Sequence, residues 1–171
     1  RVALMLRNHP QYVETLVGAS AAAVCVVPID PRTKGEKLAY VLRDAGCRGV
    51  ICADYAYAAV ETARALATGV EFVFVLNSGE GGAAPVATGA GRITDLADVL
   101  ADASSVPTVD VRLVTGGEPW QIMYTSGTTG DPKGVVWDNN RFGMVGMLGA
   151  LLGYRRACEL VRRSGARARR L

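Results

Sequence analysis

The sequence contains little histidine and cysteine, and this shortage excludes the common zinc-site classes. Its 171 residues include one His and four Cys. Cys25, Cys47, Cys52 and Cys158 form no Cys-x-x-Cys pair, and His9 cannot complete a familiar zinc spacing with them. We therefore expect the cysteines to be small buried apolar residues, and His9 to cap a helix or face water.

Long apolar runs are also missing. The longest, from Leu16 to Ile29, contains Ser20 and Pro28 and is shorter than the roughly 20 residues that a membrane-spanning helix needs. Residues 1–7 lack the basic flank, long apolar stretch and small-residue cleavage site of a secretory signal. The sequence therefore predicts no membrane span and a cytoplasmic protein.

Net positive charge is confined to the end of the chain. Residues 155–171 hold seven Arg and one Glu, whereas the whole sequence carries only +3. Clustered Arg is typical of arms that bind RNA or membranes, but no aromatic residue follows Tyr154. We expect no nucleic-acid partner, and interpret 155–171 as an atypical Arg-rich tail from a truncated or frameshifted reading frame.

The remaining sequence is typical of a folded α/β domain. Half of the residues are apolar and 20% are charged, which describes a globular interior rather than a disordered chain. Four short apolar runs predict strands, at Val2–Leu6, Val24–Ile29, Gly49–Ala53 and Phe72–Leu76. They alternate with three amphipathic helical segments, a pattern that calls for right-handed crossovers and a parallel sheet flanked by helices.

The helical segments have start and stop signals in the sequence. In chain order these are the start at Pro10, the capping box of Thr33 with Glu36, the stop Gly46, the N-cap Asp54 and the stop Gly69. Further on, 77–91 reads as a surface loop and first boundary, and Ile93–Ala101 as a short helix. Trp120–Tyr124 reads as a strand that carries the next segment on a second unit.

The segment Tyr124–Val135 has the composition of a polyphosphate-binding loop. It places four aliphatic hydroxyls, three glycines and one lysine within twelve residues. Glycines let backbone N–H groups converge on an anion, and Ser and Thr hydroxyls add donors or a magnesium ligand. An ammonium and a phosphate charge about 4 Å apart attract by about 4 kcal/mol at an effective dielectric near 20. Lys133 can therefore help to hold a triphosphate in register.

Two other interpretations of this segment compete. A Gly-, Ser- and Thr-rich stretch is often a flexible turn, but the ordered sequence argues against that. The P-loop of nucleoside triphosphatases requires Gly-Lys followed by Ser or Thr, whereas Pro132 precedes Lys133 and Gly134 follows it. Val135 and Val136 also continue as a strand, where a P-loop would enter a helix.

Tyr124–Val135 resembles the signature of the adenylate-forming (AMP-binding) superfamily, which includes acyl-CoA synthetases, peptide-synthetase adenylation domains and luciferases. Residues Val2–Asn8, Val26–Pro31 and Leu38–Leu42 look like the first βα units of its fatty-acid–CoA ligase branch. The resemblance implies that 1–154 is a partial AMP-binding domain, the N-terminal part of the enzyme's large domain.

The resemblance implies a two-step ligase reaction in fatty acid or lipid metabolism. ATP and a carboxylic acid would give an acyl-adenylate, from which coenzyme A would displace AMP. The β- and γ-phosphates of ATP would be wrapped by Thr125, Ser126, Gly127, Thr128, Thr129, Gly130 and Lys133. Lys133 would neutralise departing pyrophosphate and Thr128 would lie near Mg²⁺, and these two are the catalytic assignments.

The sequence departs from the family pattern in several places. Trp137–Arg141 stands where a His-containing segment often follows the loop. The aromatic-Gly-x-Thr-Glu motif, the later ribose-binding Asp and the C-terminal domain with its lysine are absent from these residues. We expect an N-terminal fragment that is inactive alone. The alternatives are a peptide-synthetase-type adenylation domain and a non-catalytic nucleotide-binding or vestigial product.

Overall fold

The computed structural model describes residues 1–81, 93–103, 117–125 and 131–138. Their strands and helices follow in chain order. They are β1 Val2–Met5, α1 Pro10–Ala21, β2 Val26–Pro28, α2 Gly35–Asp44, β3 Gly49–Ala53, α3 Asp54–Leu66, β4 Phe72–Leu76, β5 Ile93–Asp95, α4 Leu96–Ala103, β6 Pro119–Thr125 and β7 Lys133–Asp138.

All seven strands belong to one sheet, in the order β5-β4-β3-β1-β2-β6-β7. Neighbouring strands from β5 to β6 run parallel, and β7 runs antiparallel to β6. This confirms the predicted α/β class with a parallel sheet flanked by helices. The expectation that β6 begins a second unit is wrong, because β6 pairs with β2, with Val26 opposite Gln121.

Helices cover both faces of the sheet because the chain reverses direction at β1. The crossover from β1 to β2 moves one way along the sheet, and the crossover from β2 to β3 returns past β1. Right-handed crossovers in opposite directions place their helices on opposite faces. Leu4 and Val26 accordingly pack toward α1, whereas Met5 and Val50 pack with the buried faces of α2 and α3. Continuous apolar strands suit this doubly covered position.

The buried cysteines agree with their sequence interpretation. Cys25, Cys47 and Cys52 are buried free thiols, and Cys158 lies outside the described residues. Burial raises the pKa of Cys47 to about 11 and that of Cys52 to about 12. These two thiols therefore behave as small apolar side chains in the core.

Helix starts were predicted less well than helix positions. Pro10 does begin α1, as its fixed φ favours. The capping box of Thr33 with Glu36 is wrong, because the N-cap of α2 is Lys34 and it has no side-chain cap. Thr33 lies one residue too early, in a turn where its N–H donates to the Asp30 carbonyl.

The third helix also differs at both ends. Asp54 is the first residue of α3 rather than its N-cap, which is Ala53. The helix ends at Leu66, so Gly69 is not its terminator. Gly46 does stop α2, since it adopts a left-handed φ of 63° and its N–H donates to the Arg43 carbonyl.

Residues 93–103 contain a strand that the sequence pattern did not reveal. Ile93–Asp95 forms β5, with Ile93 paired to Val73 of β4, and only then does α4 begin. The helix predicted over Ile93–Ala101 is therefore wrong in its first turn. Asp95 marks the true start, because its side chain accepts a hydrogen bond from the Ala97 N–H.

Several expectations fall outside the part of the chain that the structure describes. They concern most of the 77–91 loop, the boundary between 154 and 155 and the Arg-rich tail. Within the described residues, no helix has the length and apolar character needed to cross a membrane. The cytoplasmic location stays a prediction.

Candidate phosphate-binding site

The predicted phosphate-binding segment connects two paired strands. Thr125 ends β6, Lys133 begins β7, and the two residues lie opposite each other in the antiparallel register. The Thr125 hydroxyl also donates to the Lys133 carbonyl oxygen, with 3.5 Å between the oxygens. The segment is therefore the loop of a β-hairpin, closed at its base by one predicted site residue on each strand.

This hairpin excludes the P-loop interpretation. Lys133 is followed by a six-residue strand, β7, rather than by a helix. The P-loop of nucleoside triphosphatases needs a helix whose N-terminal N–H groups hold the phosphate. The expectation that Val135 and Val136 continue as a strand is confirmed.

Thr125 and Lys133 are both exposed to solvent. No carboxylate among the described residues forms a salt bridge with the Lys133 ammonium. The hydroxyl and the ammonium can thus reach an anion outside the sheet. The other predicted site residues lie outside the described residues, so their roles, including the Mg²⁺ role of Thr128, stay predictions. They are Ser126, Gly127, Thr128, Thr129 and Gly130.

A tyrosine beside Thr125 connects the hairpin to α2. The Tyr124 hydroxyl donates to Asp44 Oδ2 over 2.5 Å. Burial, and then this hydrogen bond, raise the pKa of Tyr124 well above its usual range. Sequence reasoning missed Asp44, since nothing in the local pattern of α2 indicates a partner 80 residues away.

A cleft of about 670 Å³ opens where β1 and β2 end. Its wall includes Arg7, Asn8, His9 and Asp30. Carboxyl ends of parallel strands meet at one edge, and β6 runs parallel to β2, so Thr125 ends at the same edge of the sheet. This is the edge at which open α/β sheets bind ligands.

Most of the polar groups near this cleft are engaged in holding its wall. The Arg7 guanidinium lies 4.3 Å from the centre of the Tyr55 ring and forms a 2.7 Å salt bridge with Glu80. His9 occupies the N-cap position of α1 without capping it, and its Nε2 lies 3.1 Å from the Tyr55 hydroxyl. His9 therefore lies at the helix start as expected, but its side chain contacts Tyr55 and makes no capping hydrogen bond.

Asp54 fixes the chain after β4 at the same edge. Its carboxylate accepts hydrogen bonds from the Ser78 hydroxyl at 2.5 Å and from the Gly79 N–H at 3.0 Å. Burial alone would raise the pKa of Asp54, but these bonds and two further backbone bonds outweigh it and lower the pKa. Asp54 thus holds the segment after β4 in place, a structural role that the predicted N-cap assignment did not include.

The fold and the hairpin agree with a family assignment. The model of the AMP-binding enzyme family matches residues 1–153, and the chain belongs to this family. The resemblance seen in the sequence is thereby confirmed. Among the described residues, no group of three or more His, Cys, Asp or Glu could hold a metal ion.

Among its relatives is the long-chain-fatty-acid–CoA ligase FadD13 of Mycobacterium tuberculosis, with 31% identity over 140 residues, which cover 80% of this chain and 24% of FadD13. The nonribosomal peptide synthetase NPS2 of Ceriporiopsis subvermispora is 29% identical over 136 residues, or 80% of this chain and 4% of that protein. The chain thus spans about a quarter of the length of FadD13.

A solved structure has the same fold. The crystal structure of the anthranilate CoA ligase AuaEII in complex with anthranoyl-AMP matches with a TM-score of 0.67 and 22% identity. The match covers 81% of this chain and 24% of that chain. The sheet with its flanking helices is therefore the fold of part of an adenylate-forming ligase.

Proposed function

We propose that the protein containing this chain activates a carboxylic acid with ATP and then transfers the acyl group to coenzyme A. In the first step a carboxylate oxygen attacks the α-phosphorus, and the bond to the bridging oxygen of the β-phosphate breaks. The products are an acyl-adenylate and pyrophosphate. In the second step the thiolate of coenzyme A attacks the acyl carbon, and AMP leaves with the electrons of the broken C–O bond.

The hairpin base carries this proposal. Thr125 and Lys133 present a hydroxyl and an ammonium from paired positions, in a chain whose family is the AMP-binding enzymes. The loop between them would wrap the β- and γ-phosphates with its own donors, which are Ser126, Gly127, Thr128, Thr129 and Gly130. Lys133 would neutralise the charge that accumulates on departing pyrophosphate. None of these residues acts as a nucleophile or a general base.

The residues at the hairpin base suit a metal that arrives with the nucleotide. Thr125 is exposed, and among the described residues its hydroxyl makes one hydrogen bond, which spans 3.5 Å, so a hydroxyl oxygen is available at this base without a carboxylate cluster. Bound Mg²⁺ would offset phosphate charge and polarise the oxygens. Thr128 would be its ligand from this chain. Thr125 and Lys133 would orient the polyphosphate beside it.

The proposed acid is a fatty or related carboxylic acid, used in lipid metabolism in the cytoplasm. FadD13, whose name specifies a long-chain fatty acid and CoA, supports this choice. A peptide-synthetase-type activity remains the second candidate, because the nonribosomal peptide synthetase NPS2 also aligns with most of this chain. The two differ in the thiol that receives the acyl group.

Acid-dependent exchange of labelled pyrophosphate into ATP tests the first step. The enzyme encoded by the complete reading frame is purified and offered a series of carboxylic acids with Mg²⁺ and ATP. We expect exchange with at least one fatty or related acid, and none without acid. If ATP neither binds nor exchanges with any acid in the series, the proposal is wrong.

The second step is tested by changing the acceptor. The acid that supports exchange is incubated with ATP and either coenzyme A or a carrier protein bearing a phosphopantetheine thiol. Formation of acyl-CoA supports the ligase. Acylation of the carrier protein alone would favour the peptide-synthetase candidate.

A further inference from the structure

One hydrogen bond links the base of the hairpin to a helix far away in the sequence. Tyr124 precedes Thr125 in β6, and its hydroxyl donates to the carboxylate of Asp44, the last residue of α2. The two residues are 80 positions apart. The link therefore joins the strand that carries Thr125 to a helix on the face of the sheet.

The ring of Tyr124 also contacts the second strand of the hairpin. Tyr124 pairs across the register with Gly134, the residue after Lys133. A Cβ built on Gly134 would lie 3.1 Å from Tyr124 Cζ, closer than ordinary van der Waals contact. The missing side chain is thus what leaves room for the ring. Tyr124 is thus the neighbour of Thr125 in β6, and it lies against Gly134, the neighbour of Lys133 in β7.

The Tyr124 hydroxyl stays a hydrogen-bond donor to Asp44 at physiological pH. Burial keeps the Tyr124 phenol protonated by raising its pKa, so the hydroxyl remains a donor. The acceptor is a carboxylate, and charge-assisted hydrogen bonds are shorter and stronger than neutral ones. The Tyr124 ring also packs against the buried core, as does Tyr40 of α2. The Tyr124 side chain is therefore held by apolar contacts as well as by its hydroxyl.

We propose that Asp44 is a positioning residue for the nucleotide: by holding the Tyr124 hydroxyl, it fixes the directions in which Thr125 and Lys133 face the phosphates. The inference rests on the proposed function. A phosphate-binding loop must be held close to its productive geometry, because small displacements of donors weaken ligand contacts steeply. In this role neither Asp44 nor Tyr124 contacts the acid or transfers a proton.

Steady-state pyrophosphate exchange by the complete enzyme tests this role. The variants are Asp44→Ala, Tyr124→Phe and the double variant. We expect KM for ATP to rise about five- to tenfold in each, as for loss of a partly exposed hydrogen bond to a charged group. The double variant should be no worse than either single one, because both changes break the same bond. KM for the acid and kcat at saturating ATP should stay within about twofold.

Two further variants separate positioning from general stability. Asp44→Asn keeps a carbonyl oxygen that can accept the hydrogen bond from the Tyr124 hydroxyl, so this variant should have most of the ATP affinity of the unaltered enzyme. Tyr57→Phe removes the hydroxyl of another half-buried tyrosine, on α3, and serves as the matched control with unchanged KM. Melting temperatures are measured for all variants.

The outcomes distinguish this inference from the function on which it rests. If the unaltered enzyme exchanges no pyrophosphate, the proposed function fails and the positioning role fails with it. If it does exchange, but Tyr124→Phe and Asp44→Ala keep the KM for ATP of Tyr57→Phe, only the positioning role is refuted. A parallel fall in kcat, in the affinities for ATP and for the acid, and in the melting temperature would also refute the positioning role, because that pattern indicates a loss of folding.

Discussion

Replacing Lys133 with alanine removes the ammonium group at the first position of β7 while leaving the strand itself intact. Lys133 is exposed, and its backbone is already held by pairing with Thr125. The substitution should therefore leave the fold unchanged and act on the nucleotide. We expect it to slow adenylation far more than it weakens binding of the acid.

The size of the effect follows from the exposure of this site. At about 4 Å an ammonium and a phosphate charge attract by about 4 kcal/mol at an effective dielectric of 20, and by about 1 kcal/mol in bulk water. A bound nucleotide excludes part of the water at this hairpin, which places the expected loss between those limits. A loss of about 2.7 kcal/mol corresponds to about a hundredfold fall in the exchange rate.

The assay is acid-dependent pyrophosphate exchange, with kcat and both KM values determined for the complete enzyme. Lys37→Ala is the matched control, because it removes an exposed ammonium from α2. Lys133→Arg keeps the charge and should recover part of the rate. An equal loss of acid binding and adenylation would point to misfolding, and a rate like that of Lys37→Ala would refute the phosphate role of Lys133.

Three other outcomes are expected. Gly134→Ala should lower the melting temperature and raise KM for ATP several-fold, because the new Cβ would lie 3.0 Å from Ile122 Cγ2 and 3.1 Å from Tyr124 Cζ, so that these side chains must shift by a few tenths of an ångström; unchanged values would refute a tight fit at this position. Because the folded pKa of Asp54 is lowered, its stabilisation should be present above about pH 4 and be lost as pH falls through that folded value. Urea titrations of wild type and Asp54→Asn should therefore differ at pH 7 and converge in acid, and a constant difference would contradict this. The isolated 171-residue chain should show little or no exchange, since it spans about a quarter of FadD13, and robust exchange would overturn that expectation.

The wall of the cleft at the carboxyl ends of β1 and β2 is held by contacts among its own side chains. Arg7, His9 and Tyr55 contact one another there, and Asp54 fastens the chain that follows β4. These groups satisfy each other, whereas the exposed Lys133 ammonium forms no salt bridge with a carboxylate of the described residues. This contrast supports placing the phosphate role at the hairpin.

Local patterns in the sequence determined the elements whose signal is continuous along the chain. Gly49–Ala53 and Phe72–Leu76 were predicted with the bounds that the structure gives, because each is an apolar run ended by a change of composition. The segment Tyr124–Val135 and the family were recognisable for the same reason. The signature of the family is a short, nearly gapless stretch rich in hydroxyls and glycines, with one lysine.

Only the tertiary structure decided what depends on contacts between distant segments. β5 is a strand because it pairs with β4, and β6 joins the first sheet because it pairs with β2. Asp44 meets Tyr124 across 80 residues. Hydrogen-bond pairing and side-chain contacts of this kind depend on the path of the backbone through space, and the periodicity of a single segment carries no record of that path.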